Sequence, residues 1–162
     1  MPVVECGFLG LPGLALTPRD ALIANGPGII VDIGFDPTVL AQAAAGHPVQ
    51  PMPPPGVLHV NRVLALIDTG ATQSCIDETL ARQLQLPLVN QQNTAGVGGI
   101  HVLNVYLAYI SLPLLGHLQT GLFIGAQLTA GGMAHQALIG RMLLADTLMV
   151  YDSRTGSVKL AF

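Results

Sequence analysis

Nineteen glycines and twelve prolines are scattered along 162 residues. Glycine costs a helix or strand interior extra backbone entropy; proline removes a donor and clashes with the preceding turn. Together they punctuate the chain often enough for many short strands. What lies between the breaks is apolar. Hydrophobic residues make up 51% of the chain and charged ones 9%, against about 25% in an ordinary soluble domain. So much apolar surface repays the entropy of ordering, which excludes a disordered chain.

The same composition removes several functions. The net charge is -3 and Lys159 is the one lysine, so a phosphate backbone would find no cationic face. Tryptophan is absent and aromatics are 4%, which leaves no stacking platform for bases or sugars. Cys6 and Cys75 are too few for a disulfide framework. His47, His59, His101, His117 and His135 have no close metal-ligand spacing, so no metal and no cofactor are expected. No charge occurs over residues 83–140, yet the best window, 105–126, is interrupted by Pro113, Gly116 and Gly121. A spanning helix needs about 20 continuous apolar residues, so no membrane segment is expected. The first sixteen residues lack a basic stretch ahead of their apolar run, which reads as no secretory signal and a cytoplasmic location. A surface so poor in charge also suggests cover by another subunit.

Residues 1–26 read as an irregular N-terminal arm, in which Thr17-Pro18-Arg19-Asp20 suits the cap of one short turn of helix. Residues 27–162 read as one domain, with a Pro-rich loop inserted at 36–56. Strands are expected at 29–35 and 57–67, paired as a hairpin, and at 102–112, 122–128 and 137–139. Asp77 should cap a helix that stops before Pro87, and 142–146 a second short one. Residues 148–152 and 157–162 should close the chain as a hairpin.

The chemistry concentrates at Leu66-Ile67-Asp68-Thr69-Gly70-Ala71. An apolar strand runs directly into a carboxylate, a small hydroxyl residue and a glycine. The glycine allows a tight turn that brings backbone N–H groups towards the carboxylate. One such carboxylate is a poor hydrolase, but two sharing a proton are a good one. The ionised member deprotonates water while the protonated member polarises the scissile carbonyl.

Asp68-Thr69-Gly70-Ala71, preceded by Leu-Ile, resembles the active-site signature of retropepsin-like aspartic proteases. The block from Ile76 to Pro87 resembles the segment that follows the signature in bacterial members. Leu138-Ile139-Gly140-Arg141, with Leu143-Leu144, resembles the family's apolar-apolar-Gly segment and its helix. The Gly-rich tip Gly96-Val97-Gly98-Gly99 lies where the family has its flap. The resemblance covers roughly residues 28–162. It implies an all-β, closed retropepsin-like domain with a ψ-type crossing at the active site, a flap hairpin and one or two short helices. It also implies Asp68 as catalytic residue, Thr69, Gly70 and Ala71 as loop support, and Ile139, Gly140 and Arg141 as structural neighbours. In retroviral members the Arg pairs with an Asp just after the signature. Here Thr72 and Gln73 follow Ala71, so Arg141 should find another partner, Asp77 or a backbone carbonyl.

One signature per chain implies that the second carboxylate comes from a second copy. The expected enzyme is a homodimeric aspartic endopeptidase acting on extended or unfolded peptide, with Asp32-Ile33-Gly34 as a poor candidate for an internal second site. Val97, Ile100 and Ile139 would line an apolar cleft. The rival is a non-proteolytic dimerising or peptide-binding module on the same fold. Asp77, Asp146 and Asp152 read as caps and turns, and Cys75 as a small hydrophobe.

Overall fold

The breaks in the sequence become the turns of a mostly β chain. The computed structural model describes residues 2–7, 16–46, 59–96 and 98–162. In order these form β1 (Val3–Cys6), α1 (Pro18–Asn25), β2 (Gly28–Gly34), α2 (Pro37–Ala44), β3 (His59–Ile67), β4 (Cys75–Asp77) and α3 (Glu78–Gln83). There follow β5 (Leu88–Gly96), β6 (Gly99–Leu112), β7 (His117–Ala126), β8 (Ala137–Ile139), α4 (Arg141–Leu144), β9 (Leu148–Asp152) and β10 (Ser157–Ala161).

Seven strands make one sheet in the order β2-β3-β8-β4-β7-β6-β5. The sheet closes on itself where Asp32, Ile33 and Gly34 of β2 pair with Ser111, Ile110 and Tyr109 of β6. Gly34 permits that closure, because a Cβ there would lie 2.5 Å from the Tyr109 hydroxyl. Inside the closed sheet Ile33, Val63, Ile76, Ile110 and Ile139 are fully buried. Removing such side chains from water is the main stabilising contribution to a fold of this kind. A second, three-stranded sheet has the order β1-β10-β9.

The middle of the sheet positions the site. β8 runs parallel to β3, Ile139 beside Ile67, and antiparallel to β4, Leu138 beside Cys75. The chain therefore leaves β3, arches over the end of β8 and returns on its other side. This is the ψ-type crossing expected of the all-β closed domain.

Local structure departs from the sequence reading most in two segments, besides the unexpected strand Leu88–Gly96 and the earlier start of the strand His117–Ala126. Within 1–26, read as irregular, Val3–Cys6 is a strand paired with β10; the helix Pro18–Asn25, capped by Thr17 with proline in its first turn, lengthens the short turn expected at Thr17-Pro18-Arg19-Asp20. Val4 and Cys6 alternate into the core, and that burial outweighs the glycines nearby. Within 36–56, read as a loop, Pro37–Ala44 is helical. Asp36 caps it by accepting from Thr38 N (2.7 Å), proline occupies the first turn, and the small-residue run is a good helix former. The proline cluster at 51–55 lies outside the described residues. Among the described residues no helix is long and apolar enough to cross a membrane.

Candidate active site

Asp68 stands where β3 ends, because β8 stops beside it and the strand can pair no further. Its N–H donates to the Ile139 carbonyl (3.0 Å). Its Oδ1 accepts from the Gly70 N–H (2.9 Å) and the Ala71 N–H (3.2 Å). Among the described residues none donates to Oδ2. The turn so formed holds one carboxylate oxygen against backbone and leaves the other available.

The loop is sewn to the segment after β8. Arg141 N donates to Ala71 O (2.9 Å) and Met142 N to Thr72 O (3.0 Å). Gly140 N donates to the Ser74 hydroxyl (3.0 Å). Gly140 could hardly be another residue, since a Cβ would lie 2.5 Å from the Gln73 carbonyl oxygen. The Arg141 guanidinium donates to Thr69 O (2.7 Å), Gly70 O (2.9 Å) and Thr72 Oγ1 (2.8 Å). Of the two partners open to Arg141, the backbone carbonyls are the ones it takes. Asp77 serves elsewhere: its carboxylate caps α3 and accepts from Leu128 N, Thr129 N and the Thr129 hydroxyl.

Asp32 sits far from this loop. Gly28 of β2 lies beside Leu66, so Asp32 is about 20 Å from Asp68 along the strands, at roughly 3.3 Å per residue. Its Oδ1 accepts from Arg62 N (2.9 Å), steadying a left-handed residue at a register shift. That is a structural task. The Cys75 thiol is pushed up to about 11, first by burial and then by the nearby Asp68 charge. A thiol so reluctant to ionise is a poor nucleophile.

From Asn90 the β5–β6 hairpin pairs without a break to its tip, Gly96 beside Gly99. Gly96, Gly98 and Gly99 are exposed there; Val97 lies outside the described residues. The hairpin reaches the loop through Gln92, whose side-chain amide donates to Gln73 Oε1 (2.9 Å). Its stem is tied to α3 because Glu78 Oε1 accepts from the Tyr106 hydroxyl and Asn104 Nδ2, both at 2.8 Å. Ile100 is 75% exposed, whereas Ile139 is wholly buried beneath the loop. Ile139 therefore lines no cleft, contrary to the sequence reading, because its side chain packs into the buried apolar core. Thr69 is exposed and meets Arg141 through its carbonyl.

Sequence reasoning missed Thr72, Gln73 and Ser74 as working parts. Adjacency to Asp68 was the one available signal, and it does not say which way each side chain turns. Beside the loop lies a cavity of about 280 Å³, lined in part by Gln73, Ser74, Gln119, Leu122, Phe123 and Met142.

No protein-family model and no curated protein matches this chain. Among solved structures, the protease of simian foamy virus (mac), determined in solution, matches at a TM-score of 0.39. The identity is 15%, over 52% of this chain and 82% of that one.

Proposed function

We propose that this chain is an aspartic endopeptidase whose active site forms between the Asp68 loops of two copies. The observation that carries the reading is the placement of the Asp68 carboxylate. It is held at the end of a buried strand by two backbone N–H groups, on a loop cross-tied to the segment after β8. A carboxylate fixed this rigidly can face its symmetry mate without reorganisation, which is what an electrostatic catalyst requires.

Two such carboxylates cannot both ionise at close range, so one keeps a proton. The ionised one takes a proton from the water that attacks the peptide carbonyl. The protonated one donates to the carbonyl oxygen as the tetrahedral intermediate forms. Water is the nucleophile, so no acyl-enzyme forms. The exposed glycine tip of the β5–β6 hairpin acts as a flap over an extended peptide. The cavity beside Gln73 and Met142 receives a substrate side chain.

The test compares wild type with Asp68→Asn on a denatured protein mixture between about pH 3 and pH 8, with fragments read by mass spectrometry. Cleavage by wild type alone, strongest on the acid side, is expected. A rate that stayed flat across that range would contradict the shared proton. Peptide retained by both proteins and cut by neither would mark a binding module; equal cutting by both would remove Asp68 from the chemistry.

A further inference from the structure

We infer that the cleft between the β5–β6 hairpin and the Asp68 loop selects uncharged, hydrogen-bonding side chains, glutamine and asparagine above all, in the extended peptide it takes. This rests on the protease reading above and names its class of substrate.

Two side-chain hydrogen bonds sort the faces of the hairpin. Gln92 reaches Gln73 of the 68–74 arch (2.9 Å), so the face that carries Gln92 looks towards the Asp68 loop. Residues directly opposite in an antiparallel pair share a face, and so do alternate residues along a strand. Gln92 lies opposite Leu103 and Thr94 opposite His101, which puts Thr94, His101 and Leu103 on the loop-facing side. Gln91 donates across to Asn104 (2.8 Å), and Asn104 donates to Glu78 of α3 (2.8 Å). Val102 and Ile100 alternate with Asn104 on that second face, Ile100 opposite Ala95. Their exposed apolar side chains therefore point away from the loop. The apolar cleft that the sequence reading expects from Ile100 is not what the hairpin presents.

It presents hydrogen-bonding groups instead. The Thr94 hydroxyl is buried and, among the described residues, has no hydrogen-bond partner. A buried polar atom in that state carries a desolvation penalty, which a ligand that supplies the partner removes. The His101 imidazole folds over the tip, where a Cβ on Gly98 would lie 3.1 Å from Nε2. Gln73 accepts from Gln92 through its amide oxygen, and an amide bonded that way still has N–H to donate. Gln73 also lines the cavity of about 280 Å³, and none of the described residues lining it is charged. A substrate side-chain amide is donor and acceptor in one neutral group, so it suits both the Thr94 hydroxyl and the Gln73 N–H. Leucine, of similar size, leaves Thr94 unpaired. A carboxylate would stand beside the Asp68 charge, and like charges at close range repel. A cation finds no carboxylate among Gln92, Thr94, His101 and Leu103.

The experiment uses a mixture of short extended peptides, identical except at a central residue pair that carries Gln, Asn, Leu, Glu or Lys. Wild type acts on the mixture, and mass spectrometry reads the ratio of kcat/KM values within one sample, which is independent of the fraction folded. Immobilised Asp68→Asn is given the same mixture, and the retained peptides are read without turnover. Expected is a preference for Gln and Asn over Leu of at least about tenfold, as one hydrogen bond to an otherwise unpaired group supplies. Thr94→Val/His101→Leu should bring that ratio to about one or below, whereas Ile100→Ser, on the opposite face, should leave it unchanged. Wild type that cuts Leu peptides as well or better overturns the proposal and keeps the protease reading. So does a double variant whose ratio matches wild type. Retention of the Gln and Asn peptides by a protein that cuts none of them ends the protease reading and keeps the preference. Neither cutting nor selective retention ends both.

Discussion

Arg141 reaches three oxygen atoms of the Asp68 loop with one side chain, two of them carbonyls that no lone-pair partner could satisfy. A planar fork of donors suits that task, and a lysine ammonium does not reproduce it. Arg141→Lys should therefore lower cleavage nearly as far as Arg141→Ala. Each should reduce stability by about 1 kcal/mol, as hydrogen bonds to a charged but exposed group do. Urea unfolding alongside peptide turnover checks both. Asp77 makes a different case. Burial alone would raise its pKa, but N–H donors from Thr129, Leu80 and Thr79 and the Thr129 hydroxyl outweigh burial and hold it below its ordinary 3.8. A folded value below the unfolded one gives stability that is present above about pH 4 and lost as pH falls through the folded value. Asp77→Asn should lose about 2 kcal/mol at neutral pH and flatten the acid limb of the stability curve, read by thermal unfolding from pH 7 downwards. The tight turn at Asp68 and the capping role of Asp77 were legible in the sequence, because each rests on residues within a few positions. The partner of Arg141 was not, because the choice between a carboxylate and a carbonyl is made by how a loop some seventy residues away happens to turn.

At the level of elements, the crossing depends on contact between two backbones. β8 passes beneath the 68–74 arch with no room for a side chain at Gly140, where a Cβ would press on the Gln73 carbonyl. Gly140→Ala should cost more than about 2 kcal/mol, because backbone rather than a flexible side chain must give way. Its loss should appear as poor recovery of folded protein, and cleavage should fall with it. The strands at 137–139 and 148–152, the closing hairpin and the β2–β3 pairing followed from alternation and turn residues. The α2 helix did not: its cap, Asp36-Pro37, was read as the entry to a loop because the glycine and prolines beyond it dominate the composition. The β1 strand was hidden for a related reason. Four residues carry almost no periodic signal, and β1 exists because β10 offers it an edge.

For the whole molecule the decisive quantity is concentration. If the site is shared between copies, activity per chain falls on dilution below the dissociation constant, whereas a single-chain site would keep it constant. Mixing wild type with excess Asp68→Asn should draw wild-type chains into mixed dimers and suppress turnover beyond simple dilution. A progress-curve assay over a concentration series checks both. The mostly β character was legible from composition and turn residues, whereas closure of the sheet was implied only by the resemblance, since short apolar strands between frequent breaks suit a sandwich as well as a closed sheet. The second, three-stranded sheet was not legible, because it brings together segments from opposite ends of the sequence.

That pairing also sets a timetable. Val3 lies beside Ala161, and Ile67 beside Ile139. During synthesis the strand that ends in Asp68 waits for its neighbour until residue 139 has emerged. The β1 strand waits until nearly all of the described chain exists. Contacts this distant in sequence make folding slow and leave apolar strands uncovered meanwhile. A nascent chain therefore carries its Asp68 segment out of the ribosome long before that segment can be assembled into its loop, and its apolar strands stay uncovered for that interval.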